Sequence, residues 1–293
     1  MSKLLGKYKN GNYSVGIFAN GTKIRETEDD VFTSSFPECI DLKITNQCDR
    51  GCSYCHENST IDGKHGDIIN SKFIDTLKPF TELALGGGNI LTHPDLIPFL
   101  QKLKNKKIIA NATVNQQHFI DQQDLIKYLA DNKLIMGLGV SLIVPTDEFI
   151  NLIKQYSNAV IHVINGIVKL EDLQRLYNNN LKLLILGYKE FRRGKDYYSP
   201  EIENNKQIIY DNISDITKGF KVVSFDNLAI TQLKLKRLFN AREWNEFYMG
   251  DDGQFTMYID LVKKYFANNS ISTVRYDLLD NIENMFKVIK NLE

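Results

Sequence analysis

Residues 40–55 read IDLKITNQCDRGCSYC: an apolar, β-prone run, Ile40 to Thr45, followed at once by three cysteines, Cys48, Cys52 and Cys55. The run predicts a strand, with the cysteine loop leaving its carboxyl end. Runs of the same kind recur at 82–87, 107–114, 134–143, 159–165, 181–187 and 220–225, and helical patterns separate them. They are nearly continuous in apolar character, as strands covered on both faces should be. Pro94 behind Thr92-His93, Thr146 before Asp147-Glu148, and Ser199-Pro200 supply helix caps or first-turn signals between them. Strand and helix in alternation mean a parallel α/β sheet. A partial β/α barrel and a doubly wound open sheet both satisfy this spacing.

Outward from this core, Asn10-Gly11 and Asn20-Gly21 flank short runs rich in Tyr, Val, Ile and Phe, which predicts a small amino-terminal β-meander. Beyond residue 225, Phe255, Met257 and Ile259 alternate with Thr256, Tyr258 and Asp260 behind Asp251-Asp252-Gly253. That pattern predicts a β-rich cap entered through a hairpin turn, since the alternating ligands and terminal Glu of a calcium loop are absent. Residues 277–292 place Leu278, Ile282, Met285, Phe286 and Ile289 on one helical face, a packing helix. The expected division is a meander at 1–38, a barrel core at 39–225 and a cap at 226–293.

The formal net charge is zero over 293 residues, so no long-range field recruits a phosphate backbone, and nucleic acid is not indicated. No stretch approaches the roughly 18 consecutive apolar residues of a membrane helix, and the start lacks an apolar secretory core. A cytoplasmic protein is expected, with no membrane partner. Four cysteines, three of them within eight residues, are unlike a disulfide framework and like a metal site.

Intervals of three and then two residues let a short loop curl around a cuboidal iron–sulfur cluster and ligate three irons, with the fourth left open. The rival readings are a structural Cys3His zinc site completed by His56 or His65 and buried free cysteines. Gly86-Gly87-Gly88-Asn89, at the end of the second strand, lets backbone approach a ligand closely because no Cβ intervenes. As a dinucleotide fingerprint it lacks the third glycine, where Leu91 stands. A simple tight turn is the other reading.

The cysteine loop, with Tyr54 before its last cysteine, resembles the C-x3-C-x2-C loop of the radical S-adenosylmethionine (SAM) superfamily. Gly87-Gly88-Asn89 followed by His93-Pro94-Asp95-Leu96 is similar to that family's Gly-Gly-Glu-Pro motif and the helix start behind it, with Asn89 where Glu is usual. The likeness covers roughly residues 39–225 and implies a partial TIM-like barrel. It implies that Cys48, Cys52 and Cys55 hold a 4Fe–4S cluster and that SAM chelates its open iron. Backbone beside Tyr54 would help hold adenine, and Gly87, Gly88 and Asn89 would receive the SAM amino group. Reductive cleavage would then give methionine and a 5′-deoxyadenosyl radical that abstracts hydrogen from the substrate. An external donor such as flavodoxin or ferredoxin is implied. The substrate is expected to be a peptide, with a nucleotide or small molecule next, and a non-catalytic iron–sulfur or zinc sensor is the alternative function.

Ser141 at the end of the fourth strand is a candidate for the ribose or carboxylate of SAM, Asn165 at the end of the fifth for a further contact, and Leu186 and Tyr188 after the sixth for adenine. Each is equally an ordinary strand end. Arg192 and Arg193 read as a carboxylate or phosphate clamp or, more simply, as solvated surface. Cys39, at the start of the first strand, is expected on the structural face away from the chemistry. No cysteine follows Cys55, so the cap has no ligands for a second cluster.

Overall fold

The computed structural model describes residues 2–290. Strands β1 (Leu4–Asn10), β2 (Tyr13–Phe18) and β3 (Lys23–Glu26) form the expected antiparallel meander. The main sheet contains β4 (Cys39–Thr45), β5 (Glu82–Gly87), β6 (Ile109–Asn115), β7 (Gly137–Ser141), β8 (Ala159–Ile164), β9 (Lys182–Leu186) and β10 (Val222–Phe225), all parallel and adjacent in chain order. Each lies inside or within a residue of the run expected from sequence.

Burial alternates along β5, β6, β8 and β9, which corrects the expectation of coverage on both faces there, whereas it runs unbroken over Leu42–Thr45 of β4 and Leu138–Val140 of β7. Ile40, Leu42 and Ile44 of β4, Leu83 and Leu85 of β5 and Val140 of β7 are fully buried, in one core with Phe99, Leu103, Phe119 and Leu129 of the intervening helices. The other face carries Asp41 and Lys43, then Ala84 and Gly86, Asn111 and Thr113, Gly139 and Ser141, and His162, matched strand to strand by the ladder register. A doubly wound sheet buries apolar residues on both faces; helices on one face and small or polar residues on the other make a partial barrel with an open interior.

The meander packs against the amino end of this sheet through ions. Glu38, only 1% exposed, receives the Tyr13 hydroxyl at 2.7 Å and the Arg25 guanidinium at 2.8 Å. Lys23 bridges Glu38 at 3.4 Å and Glu82 at 3.6 Å. The Arg25 guanidinium also lies 3.8 Å from the centre of the Phe255 ring, a cation–π contact.

The carboxyl-terminal segment differs from the expected cap. The turn at Asp251–Gly253 does not join two antiparallel strands. It leads into β11 (Thr256–Asp260), which pairs parallel to β4 with Thr256 opposite Cys39 and Asp260 opposite Lys43. Because β11 is internal to the sheet, Tyr258 and Asp260 are buried along with Met257 and Ile259, and the alternation expected of an exposed hairpin disappears. β12 (Tyr265–Ala267) and β13 (Tyr276–Asp277) then continue the sheet antiparallel. The closing helix, Ile282–Lys290, buries Ile282, Met285, Phe286 and Ile289. Leu278 lies ahead of this helix and is half-buried, and residues 291–292 of the expected helix lie outside the described residues.

Candidate active site

The cysteine loop leaves the carboxyl end of β4 and is stitched to its own return. Cys48 N–H donates to the Thr60 carbonyl, Asn46 N–H to that of Lys64 and Gly66 N–H to that of Ile44, each at 2.8 Å. A turn from Cys52 O to Cys55 N, 3.2 Å, brings the second and third cysteines together. All three side chains are half-buried. Burial pushes the Cys48 and Cys52 thiols up, and the nearby Cys55 adds to the rise in both.

Among the described residues, the one group of three ligand atoms lying within 4.8 Å of one another is Cys48, Asp49 and His118. Two sulfurs about 2.3 Å from a single zinc ion lie within ~4.6 Å of each other, and the three loop sulfurs do not form such a group among the described residues. Neither histidine of the Cys3His alternative joins them. His65 Nδ1 is 2.9 Å from Thr45 Oγ1, and its ring packs 4.8 Å from that of His93. His56 Nε2 lies 3.4 Å from both Glu57 Oε1 and Lys189 Nζ. His118, not anticipated from the sequence, sits on the helix Gln116–Asp121 and meets Asp49 Oδ1 at 2.6 Å. Its place just beyond the carboxyl end of a strand, where barrel chemistry collects, was the available signal.

The loop ends in a buried ion network that sequence reasoning also missed. Glu57 Oε2 receives Lys43 Nζ at 2.6 Å and Arg192 Nη1 at 3.5 Å, and Oε1 accepts the Tyr258 hydroxyl at 3.1 Å. Asp260 Oδ2 lies 3.4 Å from the same Lys43 ammonium. Burial alone would raise the Glu57 pKa, but hydrogen bonds and charge from His56 and Lys43 outweigh it and hold the carboxylate far below its usual range. Arg192 Nη1 also donates to the Glu57 carbonyl at 2.9 Å, and Arg193 Nη2 to that of Ser59 at 2.7 Å. Both arginines therefore tie the loop after β9 to the cysteine loop, Arg192 through backbone and the Glu57 carboxylate and Arg193 through backbone; neither is free surface.

The glycine run is explained largely by the protein itself. Gly87 has φ +111°, and a Cβ there would come within 2.2 Å of the Thr45 carbonyl; at Gly88 it would come within 2.1 Å of that of Gln47. Gly88 N–H and Asn89 N–H donate to those same carbonyls at 2.9 and 2.7 Å, which locks the end of β5 against the root of the cysteine loop. Asn89 is buried, and its Oδ1 accepts Leu91 N–H at 3.1 Å. With Cys48, Asp49, Thr92 and His118 it lines a cavity of about 290 Å³.

The remaining candidates separate into two groups. Ser141 faces the barrel interior and pairs in register with Asn115 and His162; burial pulls the His162 pKa down to about 4, so that imidazole is neutral at pH 7. Asp41 is exposed on the same interior face; enclosure by the barrel wall pushes its carboxyl up to about 6, with Lys189 opposing and Asp252, Asp226 and Glu57 adding. Leu186 and Tyr188 are instead engaged within the protein, and Asn165 is engaged through its N–H and Nδ2 while its buried Oδ1 has no hydrogen-bond partner. Asn165 is fully buried and donates from Nδ2 to Gln232 Oε1 at 3.2 Å, while Leu186 O accepts Asn165 N–H at 2.8 Å. Gln232 bonds both the N–H and the carbonyl of Tyr188, and the Tyr188 hydroxyl donates to Gly194 O at 2.7 Å. Tyr54 is half-buried with its ring 5.9 Å from that of Tyr197, and burial pushes its hydroxyl up to about 12.

No family model matches the chain, and no curated protein matches it. Solved structures do. Streptococcus suis SuiB bound to the precursor peptide SuiA superposes with a TM-score of 0.66 at 14% identity, covering 98% of this chain and 88% of that one. SuiB bound to S-adenosylmethionine superposes with a TM-score of 0.63 at 13% identity, covering 94% and 85%. No helix among the described residues is long and apolar enough to cross a membrane. Over nearly its whole length, the chain has the fold of SuiB: a partial β/α barrel with an antiparallel sheet at its amino end.

Proposed function

We propose that this protein is a radical SAM enzyme that modifies a peptide. The observation that carries the reading is the cysteine loop: three half-buried thiols that leave the carboxyl end of β4, joined by neither His56 nor His65 and standing at the mouth of the barrel. A 4Fe–4S cluster would be held by Cys48, Cys52 and Cys55, one thiolate to each of three irons. When bound, the cluster supplies the electron that cleaves SAM to methionine and a 5′-deoxyadenosyl radical. The fold shared with SuiB, solved with SAM and with a precursor peptide, supports both the cofactor and the substrate class.

The chain's own residues hold and orient. Asn89 keeps its amide fixed through Leu91 N–H, leaving the second lone pair of Oδ1 for a SAM ammonium. Gly87 and Gly88 hold Asn89 beside Cys48 by bonding the loop root, which is a positioning role; backbone beside Tyr54 lies on the same loop. Ser141 and neutral His162 offer donors and acceptors along the interior face. Asn165, Leu186 and Tyr188 shape that wall from behind, through Gln232. An external low-potential donor such as flavodoxin or ferredoxin supplies the electron, in a cytoplasmic setting that keeps the cluster reduced.

Anaerobic reconstitution with iron and sulfide, followed by reductant and SAM, is expected to give iron–sulfur absorption and release 5′-deoxyadenosine. Deuterated peptide pools should transfer label into that product. Zinc uptake without iron, or iron without SAM cleavage, would overturn the reading in favour of a zinc or iron–sulfur sensor.

Cys39 has no part in this chemistry. It stands at the amino end of β4, about 20 Å of extended chain from the end that carries the cysteine loop. Cys39→Ala is expected to keep iron content, absorption and SAM cleavage, and loss of iron in that variant would show a fourth protein ligand.

A further inference from the structure

We infer that His118, acting through Asp49, is a positioning residue that holds the cysteine loop to the barrel and sets how readily a cluster on that loop is reduced. This role presupposes the cluster reading above. Between Cys48 and Cys55 the chain is otherwise tied only to itself. Among the described residues, the one hydrogen bond from residues 49–54 to a residue outside the loop is that of His118 Nε2 donating to Asp49 Oδ1, at 2.6 Å. His118 is 4% exposed, whereas the Asp49 side chain is 54% exposed. The imidazole is therefore the fixed member, and the loop carboxylate is the one that is held. Gln116, buried on the same helix, anchors that platform: its Nε2 donates to the Val144 carbonyl at 2.7 Å, and its Oε1 accepts Ile143 and Val144 N–H at 2.6 and 3.0 Å. The helix start is thereby pinned to the chain that follows β7.

Two observations separate this pair from an ordinary surface ion pair. Cys48 Sγ, the Asp49 oxygen and the His118 nitrogen all lie within 4.8 Å of one another, so the pair stands against the first of the ligand sulfurs. A separation of 2.6 Å is a hydrogen bond, whereas two ligands about 2.1 Å from one tetrahedral ion stand ~3.4 Å apart; the two side chains serve each other and not a separate metal ion. Partners behind a ligand orient it and tune the metal centre, and the reduction potential of an iron–sulfur cluster follows the net charge and hydrogen bonding around its sulfurs. Without the His118 donor, the Asp49 carboxylate is uncompensated beside Cys48, and its charge opposes an incoming electron. Without the Asp49 charge, the electron is favoured. The two side chains thus act with opposite sign, which a purely mechanical latch does not do.

Anaerobic reconstitution of the full chain, followed by redox titration with electron paramagnetic resonance, tests this with His118→Ala, His118→Gln and Asp49→Asn. His118→Ala is expected to shift the ratio about tenfold toward the oxidised cluster, ~59 mV for one electron, a size between the bulk-water and protein-interior limits for one charge at this distance. Asp49→Asn should shift it toward the reduced cluster. His118→Gln, which keeps an N–H donor for Asp49, should stay close to the parent protein. Asp49→Asn is isosteric and carries the test of sign even where His118→Ala loads poorly. Amide hydrogen exchange of the metal-free chain is the second readout, and exchange at residues 49–55 should quicken in His118→Ala while the barrel strands keep their protection. Potentials equal to the parent's in both single variants, or shifts of the same sign, would overturn the electrostatic role, and unchanged exchange in His118→Ala would overturn the latch. A parent protein that takes up no iron–sulfur cluster would overturn the cluster reading instead, with the exchange measurement still deciding the latch.

Discussion

Protein in which Cys48, Cys52 and Cys55 are all replaced by alanine is expected to lose visible iron–sulfur absorption and SAM cleavage together. The loop has no substitute ligands. Cys39 lies at the far end of β4, His65 is turned to Thr45 and His56 to Glu57 and Lys189. Asp49 and His118 lie beside Cys48, but they meet each other at 2.6 Å, and oxygen and nitrogen donors do not replace three thiolates on a cuboidal cluster. Iron analysis, absorption after anaerobic reconstitution and 5′-deoxyadenosine formation are the three measurements. An intact cluster in the triple variant would remove the basis for the assignment.

Lys43→Met is expected to cost about 3–5 kcal/mol of folding stability, the usual effect of removing one partner from a buried ion network. The methionine nearly keeps the side-chain volume, so the loss reports charge more than packing. Lys43 is 2% exposed, and Asp260 is fully buried. The change leaves the Glu57 and Asp260 carboxylates facing one another, Glu57 with Arg192 and Tyr258 still in contact but Asp260 without its cation. Asp260→Asn in the same chain should recover part of the loss, because it removes the stranded charge. Urea unfolding of the cluster-free protein measures this without reference to activity. A cost below about 1 kcal/mol would show that water or rearrangement already compensates these charges.

The network also shows why some of the site escaped a reading by pattern. Lys43 interrupts an otherwise apolar run, and on its own it reads as one solvated residue. Its partners come from the cysteine loop, from β11 and from the loop after β9, at separations of 14 residues for Glu57 and 201 between Glu57 and Tyr258. No local period records such pairings. Gly87 and Gly88 were readable as positions needing close approach, but what approaches is the chain's own backbone at Thr45 and Gln47.

The sequence by itself determined the parallel α/β class, the positions of the seven barrel strands, the amino-terminal meander and the cysteine loop at the end of the first strand. These are local quantities: apolar runs, turn residues and cysteine spacing are set by neighbours a few residues apart. Tertiary structure decided that the second face of the sheet stays open over β5, β6, β8 and β9 and is covered at Lys43 and Asp260 by the cysteine loop, because the alternation that distinguishes an open interior involves small residues such as Ala84 and Gly86, which read as apolar on either face. It also placed Thr256–Asp260 beside β4 as an internal parallel strand. That choice depends on which buried edge is free to pair across more than two hundred residues, a matter of packing between distant segments that no short window of sequence contains.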